Sequence, residues 1–466
     1  MWMQSGSADC DRLAQIVLEC KRGEIKKQSE LHPHTDEQTT MSQAATPPLL
    51  SVHPTRALTD ETFEISVENL PPGRPVTLHA LHCSEDQDYW EAYGHYVSDH
   101  RGTVSAADHM SFGGTYEGKE PMGLLWSMRP VAGSRTGLRL RKMNVCAPML
   151  VHISVHDGHE GFRERAALAS ALTERWYVAP GVQRIDVREG GVRGTLFIPP
   201  GPGPFPGLLD MWGGGGGLQE YRSAILASRG YASLALEYFA AGDLESAELE
   251  LKYFETAFNI VKHHPQVMPD RVGLFGLSLG STVTMYIATK SDVVKPRCCV
   301  CVNGSHLFQR TFSDQDQQMI QNLGKAHVDE NNHHAWRDIG LALMSESNKL
   351  DVGKIKCPML LVNGLDDQNT PSSELAEDVA QMMRAAGNEH LLTRVEYPDA
   401  GHLIEPPFSP HFRATNFKIS GTKDKLVLLW GGRTKPHADA QEDSWRKILS
   451  FLQLHLYGDA SPRAKL

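Results

Sequence analysis

Two folded units are predicted for this 466-residue chain: an α/β domain on an open, mostly parallel sheet, preceded by an antiparallel β-sandwich. Three observations predict them. Short alternating strands separated by turn residues run from Leu50 to about Tyr177. Beyond them, apolar strand-like runs alternate with helix-like stretches. One such run, Arg271 to Gly280, ends in G-x-S-x-G and opens straight into a helix-like stretch, Ser281 to Ala288.

Composition sets the frame. The chain is 41% hydrophobic and 22% charged, the balance of a globular protein, and its formal net charge of -10 argues against a nucleic-acid partner. No uninterrupted apolar stretch is long enough to span a bilayer. The eight cysteines are scattered, which fits reduced thiols better than a disulfide framework. Cys298 and Cys301 form a lone C-x-x-C with no second pair, so no zinc site is expected. His152 and His156 lie in a strand-like run, where four residues separate side chains by roughly 13 Å, too far to share a metal.

In chain order, residues 1–48 are polar and aperiodic and read as a disordered extension. They lack the apolar core of a secretory signal, and Asp9, Asp11, Glu19 and Glu24 are wrong for a transit peptide; Met41 is a candidate alternative start. Residues 49–180 read as the β-sandwich domain, with strands at Phe63–Val67, Val76–His82 and Val151–His156. The apolar run Pro121–Met128 reads as a loop or strand packed between the domains.

Residues 181–466 read as the α/β domain. Strands are expected at Val192–Ile198, Gly207–Met211 and Ala232–Leu236, and a helix at Leu244–His264. Residues 305–355 are polar, without a convincing strand, and read as a lid-like insertion whose His327, His333 and His334 are solvated. A final helix is expected at Gln441–Leu456.

The candidate chemistry sits at strand ends. Ser278, central in its G-x-S-x-G, is the candidate nucleophile on a strained strand-to-helix turn. The run Pro358–Gly364 leads into Leu365-Asp366-Asp367, and the alternating run Leu392–Tyr397 leads into Pro398-Asp399-Ala400-Gly401-His402. Serine, acid and histidine thus follow in the order that α/β-hydrolases use, each just past the C-terminal end of a strand. Asp367 is favoured over Asp366 as the carboxylate because the extra residue gives the turn room. The glycines 213 to 217, after an early strand, are placed to offer backbone N–H groups to an oxyanion; Gly213, Gly214 and Leu279 are the candidate donors. No cofactor is expected.

These residues also carry a resemblance. Pro121-Met122-Gly123-Leu124-Leu125-Trp126, Arg175-Trp176-Tyr177-Val178-Ala179-Pro180-Gly181-Val182, Asp210-Met211-Trp212-Gly213 and Gly401-His402-Leu403-Ile404-Glu405-Pro406-Pro407 are similar to segments of type I acyl-CoA thioesterases and bile acid-CoA:amino acid N-acyltransferases. The resemblance runs from about Leu50 to Tyr457. It implies an α/β-hydrolase domain behind a β-sandwich, a Ser–Asp–His triad matching Ser278, Asp367 and His402, and an acyl-CoA substrate. The transferases carry Cys where Ser278 stands; the thioesterases carry Ser, often followed by Lys where this chain has Leu279. Hydrolysis is therefore expected as the main activity, with acyl transfer to glycine or taurine as the alternative. The chain ends in Ala464-Lys465-Leu466, close to the S-K-L address, so a peroxisomal import receptor is the expected partner and the peroxisome the expected location, with the cytosol as the alternative.

Overall fold

The computed structural model describes residues 46–458 except 136, 216, 239–249, 309–320, 345–348 and 419–424. The extension before residue 46 and the C-terminal Ala464-Lys465-Leu466 lie outside the described residues.

The first domain is a sandwich of two sheets. One is ordered β1 (Leu49–His53), β3 (Glu64–Glu68), β6 (Val104–Ser105). The other is ordered β2 (Arg56–Leu58), β9 (Ala169–Trp176), β8 (Met149–Asp157), β4 (Pro75–Cys83), β5 (Tyr89–Val97), β7 (Arg129–Pro130). Alternation explains the packing: Ile65 and Val67 of β3 point inward, as do Val151, Ile153 and Val155 of β8, and all join one buried cluster with Leu78 and Trp90. Each such large apolar side chain contributes about 1.5–3 kcal/mol by leaving water.

The second domain is organised on an eight-stranded sheet. Its order is β10 (Gln183–Val187), β11 (Arg193–Ile198), β13 (Ala232–Glu237), β12 (Phe205–Met211), β14 (Val267–Leu277), β15 (Cys299–Val302), β18 (Met359–Gly364), β19 (Leu392–Tyr397). From β13 to β19 every pair is parallel; β10 and β11 add an antiparallel edge. The inner strands are apolar on both faces because helices cover both: β15 and β18 are buried at every residue. The domain is an α/β-hydrolase fold, with its loops of interest at the carboxyl ends of β12, β14, β15, β18 and β19.

Several elements differ from the sequence expectation. The Pro121–Met128 run forms a short helix, α1 (Gly123–Trp126), buried in the first domain's core, where Phe408, Phe412 and Ala438 of the second domain join it. The helix expected from Leu244 is described from its later part, as α3 (Leu251–Lys262), following α2 (Tyr221–Ser228); residues 244–249 lie outside the described residues. The 305–355 insertion does hold strands. β16 (His327–Val328) and β17 (His333–Ala335) join β20 (Ala414–Lys418) and β21 (Lys425–Leu429) in a four-stranded sheet. They are only two and three residues long, too short for a period-2 pattern to register. The last long helix, α7 (Thr434–Leu452), begins before Gln441 because Pro436 falls in its first turn, where a missing N–H costs nothing. α4 (Leu279–Lys290), α5 (Arg337–Met344) and α6 (Ser372–Ala385) are further α-helices among the described residues. No described helix is long and apolar enough to cross a membrane.

The domains are locked together by more than apolar contact. Asp60 accepts from Arg229 Nε at 2.9 Å and Nη2 at 2.6 Å, and from Trp445 Nε1 at 3.0 Å.

Candidate active site

Ser278 directly follows β14 and caps α4 with φ 56° and ψ −121°, a conformation an L-residue rarely adopts. The flanking glycines make it possible. A Cβ on Gly276 would stand 2.2 Å from the Gly280 carbonyl carbon, and one on Gly280 would stand 2.0 Å from the Met211 oxygen. The turn therefore projects the Ser278 side chain over the carboxyl edge of the sheet. Its own N–H is tied to Val302 O at 2.8 Å.

Asp367 follows β18, and His402 follows β19; both are buried. His402 Nδ1 lies 2.8 Å from Asp367 Oδ2, and His402 Nε2 lies 2.7 Å from Ser278 Oγ. A carboxylate only accepts, so Nδ1 carries the proton and Nε2 accepts from the serine hydroxyl. Asp367 is itself held by the Asn369 and Thr370 N–H groups, at 2.9 and 2.8 Å on Oδ1, and by the Ser372 hydroxyl on Oδ2. Asp366 turns the other way: its Oδ2 accepts from Gly432 N at 2.8 Å and Arg413 Nη1 at 3.2 Å.

Two residues that the sequence did not single out hold the histidine loop. Asn303, just past β15 with φ 45°, donates to Gly401 O at 3.1 Å and His402 O at 2.7 Å. Its Oδ1 accepts from Gly364 N at 2.8 Å, so one carboxamide rivets the ends of β15 and β18 to the loop. His437 of α7 clasps the same loop from behind: Gly401 N–H donates to Nδ1 at 3.1 Å, and Nε2–H donates to Leu403 O at 2.8 Å. Trp430 stacks on the His402 ring with centroids 5.6 Å apart and planes 14° apart. The strand-end position of Asn303 was a usable signal; nothing in the sequence near His437 pointed to it.

The glycine-rich loop lies beside the serine. A Cβ on Gly213 would come 3.2 Å from Ser278 Cβ, and one on Gly214 would come 3.9 Å from Leu279 Cδ2. Among the described residues, the N–H groups of Gly213, Gly214 and Leu279 donate to no protein acceptor. The loop's base is fixed by the buried Arg222–Asp210 ion pair and by the Tyr238 hydroxyl on Trp212 O.

Around Ser278 and His402 the structure leaves a cavity of about 200 Å³. Leu277, Leu307, Leu343, Leu375 and Phe417 supply its apolar wall. The 305–355 insertion reaches it through Trp336, Gly340 and Leu343, while His333 is half-buried and sits 3.2 Å from Asp329. The first domain enters through Arg139 and Arg141.

Two family models match the chain: the acyl-CoA thioester hydrolase/BAAT N-terminal region over residues 60–189, and the BAAT/acyl-CoA thioester hydrolase C-terminal region over residues 249–458. The chain is also 38% identical over 427 residues to a peroxisomal succinyl-coenzyme A thioesterase of Mus musculus, covering 89% of this chain and 98% of that protein. The chain belongs to the acyl-CoA thioester hydrolase/BAAT family. Other similar members are a mitochondrial acyl-coenzyme A thioesterase 2 of Mus musculus, 36% identical over 89% of this chain and 90% of that one, and an acyl-coenzyme A thioesterase 1 of Homo sapiens, 34% identical over 86% and 95%.

Proposed function

We propose that this family member hydrolyses acyl-CoA to free acid and CoA through an acyl-Ser278 intermediate. The observation that carries the reading is the single imidazole, His402, in contact with both Ser278 and Asp367 at the floor of an apolar cavity. The names of its relatives as thioesterases support the same substrate class.

In this mechanism His402 Nε2 takes the Ser278 proton as Oγ attacks the thioester carbonyl. Asp367 keeps Nδ1–H in place and stabilises the imidazolium. Negative charge developing on the carbonyl oxygen is met by the unspent N–H groups of Leu279 and Gly213, with Gly214 beside them, at the positive end of α4. The imidazolium returns its proton as the CoA sulfur leaves. His402 then deprotonates a water as it attacks the acyl-serine ester; the ester C–O bond breaks, the imidazolium returns the proton to Ser278 Oγ, and the acid is freed.

Serine favours water over an amine as acceptor, because an oxygen ester is a poorer acyl donor to amines than a thioester. Acyl transfer to glycine or taurine is accordingly the minor outcome. The deciding experiment is a panel of acyl-CoA substrates, scored for free CoA and for conjugates with and without taurine or glycine. Conjugates forming faster than free acid would overturn the hydrolase reading, and failure to label with a serine-directed fluorophosphonate would overturn the acyl-serine step. Import into peroxisomes is part of the proposal, supported by Ala464-Lys465-Leu466 and by the name of one relative.

A further inference from the structure

Trp212 stands immediately before Gly213, and its side chain is held at two points. The indole Nε1–H donates to Tyr221 Oη at 2.5 Å, and the Arg139 guanidinium lies over the ring at 4.9 Å. An indole nitrogen only donates, so the Tyr221 hydroxyl accepts there and spends its own proton on Glu405 Oε1 at 2.8 Å. Arg139 Nη2 donates to that same oxygen. Glu405 lies three residues beyond His402. Arg139 of the first domain thus closes a ring of contacts with Glu405, Tyr221 and Trp212 that joins the glycine-rich loop to the histidine loop.

The ring acts on the oxyanion position through one peptide group. The Trp212 carbonyl and the Gly213 N–H belong to the same planar unit and point opposite ways. Tyr238 donates to that carbonyl, which fixes one end of the unit. The indole anchors the Trp212 Cα from which the unit hangs. The direction of the Gly213 N–H beside Ser278 therefore depends on where the indole is held. Arg139 and Glu405 hold it from a buried setting, their side chains only 7% and 9% exposed. A buried ion pair is a weak source of stability, and this one leaves Arg139 Nε without an acceptor among the described residues. What the pair secures is the position of Trp212 relative to the loop that carries His402.

We propose that Arg139 is a positioning residue for the reaction at Ser278: paired with Glu405 and covering the Trp212 indole, it aims the Gly213 N–H at the developing oxyanion. The first domain then does more than pack against the second; it supplies the side chain that completes the site. The inference rests on the acyl-Ser278 reading for the reaction. It is distinguishable from it, because the oxyanion position can be probed without an acyl-CoA.

The test uses the full chain as wild type, Arg139→Met, Arg139→Lys and Tyr221→Phe. Two rates are measured: kcat and KM for palmitoyl-CoA, and the second-order rate of phosphonylation by a short-chain alkyl fluorophosphonate. In the second reaction Ser278 Oγ displaces fluoride from phosphorus while His402 takes the proton, and the phosphoryl oxygen occupies the oxyanion position with no CoA present. Misplacing a reacting geometry by about 1 Å costs up to about 100-fold, so Arg139→Met is expected to lower kcat and the phosphonylation rate together by roughly 10- to 100-fold, with KM little changed. Arg139→Lys, which keeps the charge, should recover part of both rates. Tyr221→Phe removes a single hydroxyl from the ring and should show the same split; it decides the matter if Arg139→Met does not fold. A rise in KM alone, or phosphonylation at the wild-type rate in Arg139→Met and Tyr221→Phe, overturns the proposal. A lower Tm with both rates unchanged overturns it as well, leaving the ring a purely structural contact. If wild type is phosphonylated but turns over no acyl-CoA, the hydrolase reading has failed and the phosphonylation rates of the variants still decide. If wild type is not phosphonylated, the acyl-serine step falls and the proposal falls with it.

Discussion

Asp366 and Asp367 are adjacent in the chain and face opposite ways: Asp367 Oδ2 meets His402 Nδ1 at 2.8 Å, while Asp366 Oδ2 meets Gly432 N at 2.8 Å. Asp367→Asn replaces an acceptor beside Nδ1–H with an amide that favours the wrong tautomer. Its kcat for acyl-CoA hydrolysis is expected to fall by up to about 10⁴-fold. Asp366→Asn keeps a group that can accept from Gly432 and should cost only a few-fold. Continuous assay of free thiol settles the order; a severe Asp366→Asn and a mild Asp367→Asn would reverse the assignment.

Ser278→Cys keeps the nucleophile on the same turn, within reach of His402. It changes the intermediate to a thioester, which amines attack more readily relative to water. The conjugate-to-acid ratio from choloyl- or palmitoyl-CoA with taurine should rise by mass spectrometry. A slow hydrolase with no conjugate would show that no amine reaches the intermediate.

Asn303→Ala removes three hydrogen bonds and strands a buried Gly364 N–H. About 1–3 kcal/mol of stability should go with them, read as a lower Tm. The freed His402 loop should also lower kcat by tenfold or more with little change in KM. A variant with normal kcat would mean that the rivet holds the fold and not the histidine.

Burial pushes the His437 imidazole down to about 3, with the nearby His411 adding to the shift and the Leu403 carbonyl opposing it. The unfolded chain takes up that proton near its ordinary value of about 6.5. Between those values the unfolded state binds more protons, so this contribution to stability is complete above about pH 6.5 and is lost as pH falls toward 3, at about 1.4 kcal/mol per pH unit. Protonation would also set Nδ1–H against the Gly401 N–H, loosening the histidine loop. Thermal melts from pH 7 to 5 should show a shallower slope for His437→Gln than for wild type; equal slopes would remove His437 from the account.

A fluorescent protein fused ahead of the chain should localise to peroxisomes and become diffuse when Leu466 is deleted. Punctate signal that survives the deletion would place the address elsewhere.

The sequence by itself carried most of the second domain's sheet, though not its edge strand β10, and the three side chains Ser278, Asp367 and His402 that the structure brings into contact, because each lies past a strand end marked by local pattern. Gly276 and Gly280 flank Ser278 as its strained turn requires, an apolar run precedes the acid, and an alternating run precedes the histidine. It also carried the alternating strands of the first domain. Only the tertiary structure decided which way Asp366 and Asp367 face, since a one-residue offset past β18 is resolved by what stands on either side: His402 and Ser372 on one, Gly432 and Arg413 on the other. Only it brought Asn303 and His437 to the histidine loop, across 99 residues for Asn303 to His402 and 34 for Leu403 to His437. And only the docking of the two domains, fixed by Asp60 on Arg229 and Trp445, delivered Arg139 and Arg141 to a cavity whose serine lies more than a hundred residues away in the chain. Local pattern records which face of an element is buried; it holds no record of which distant element buries it.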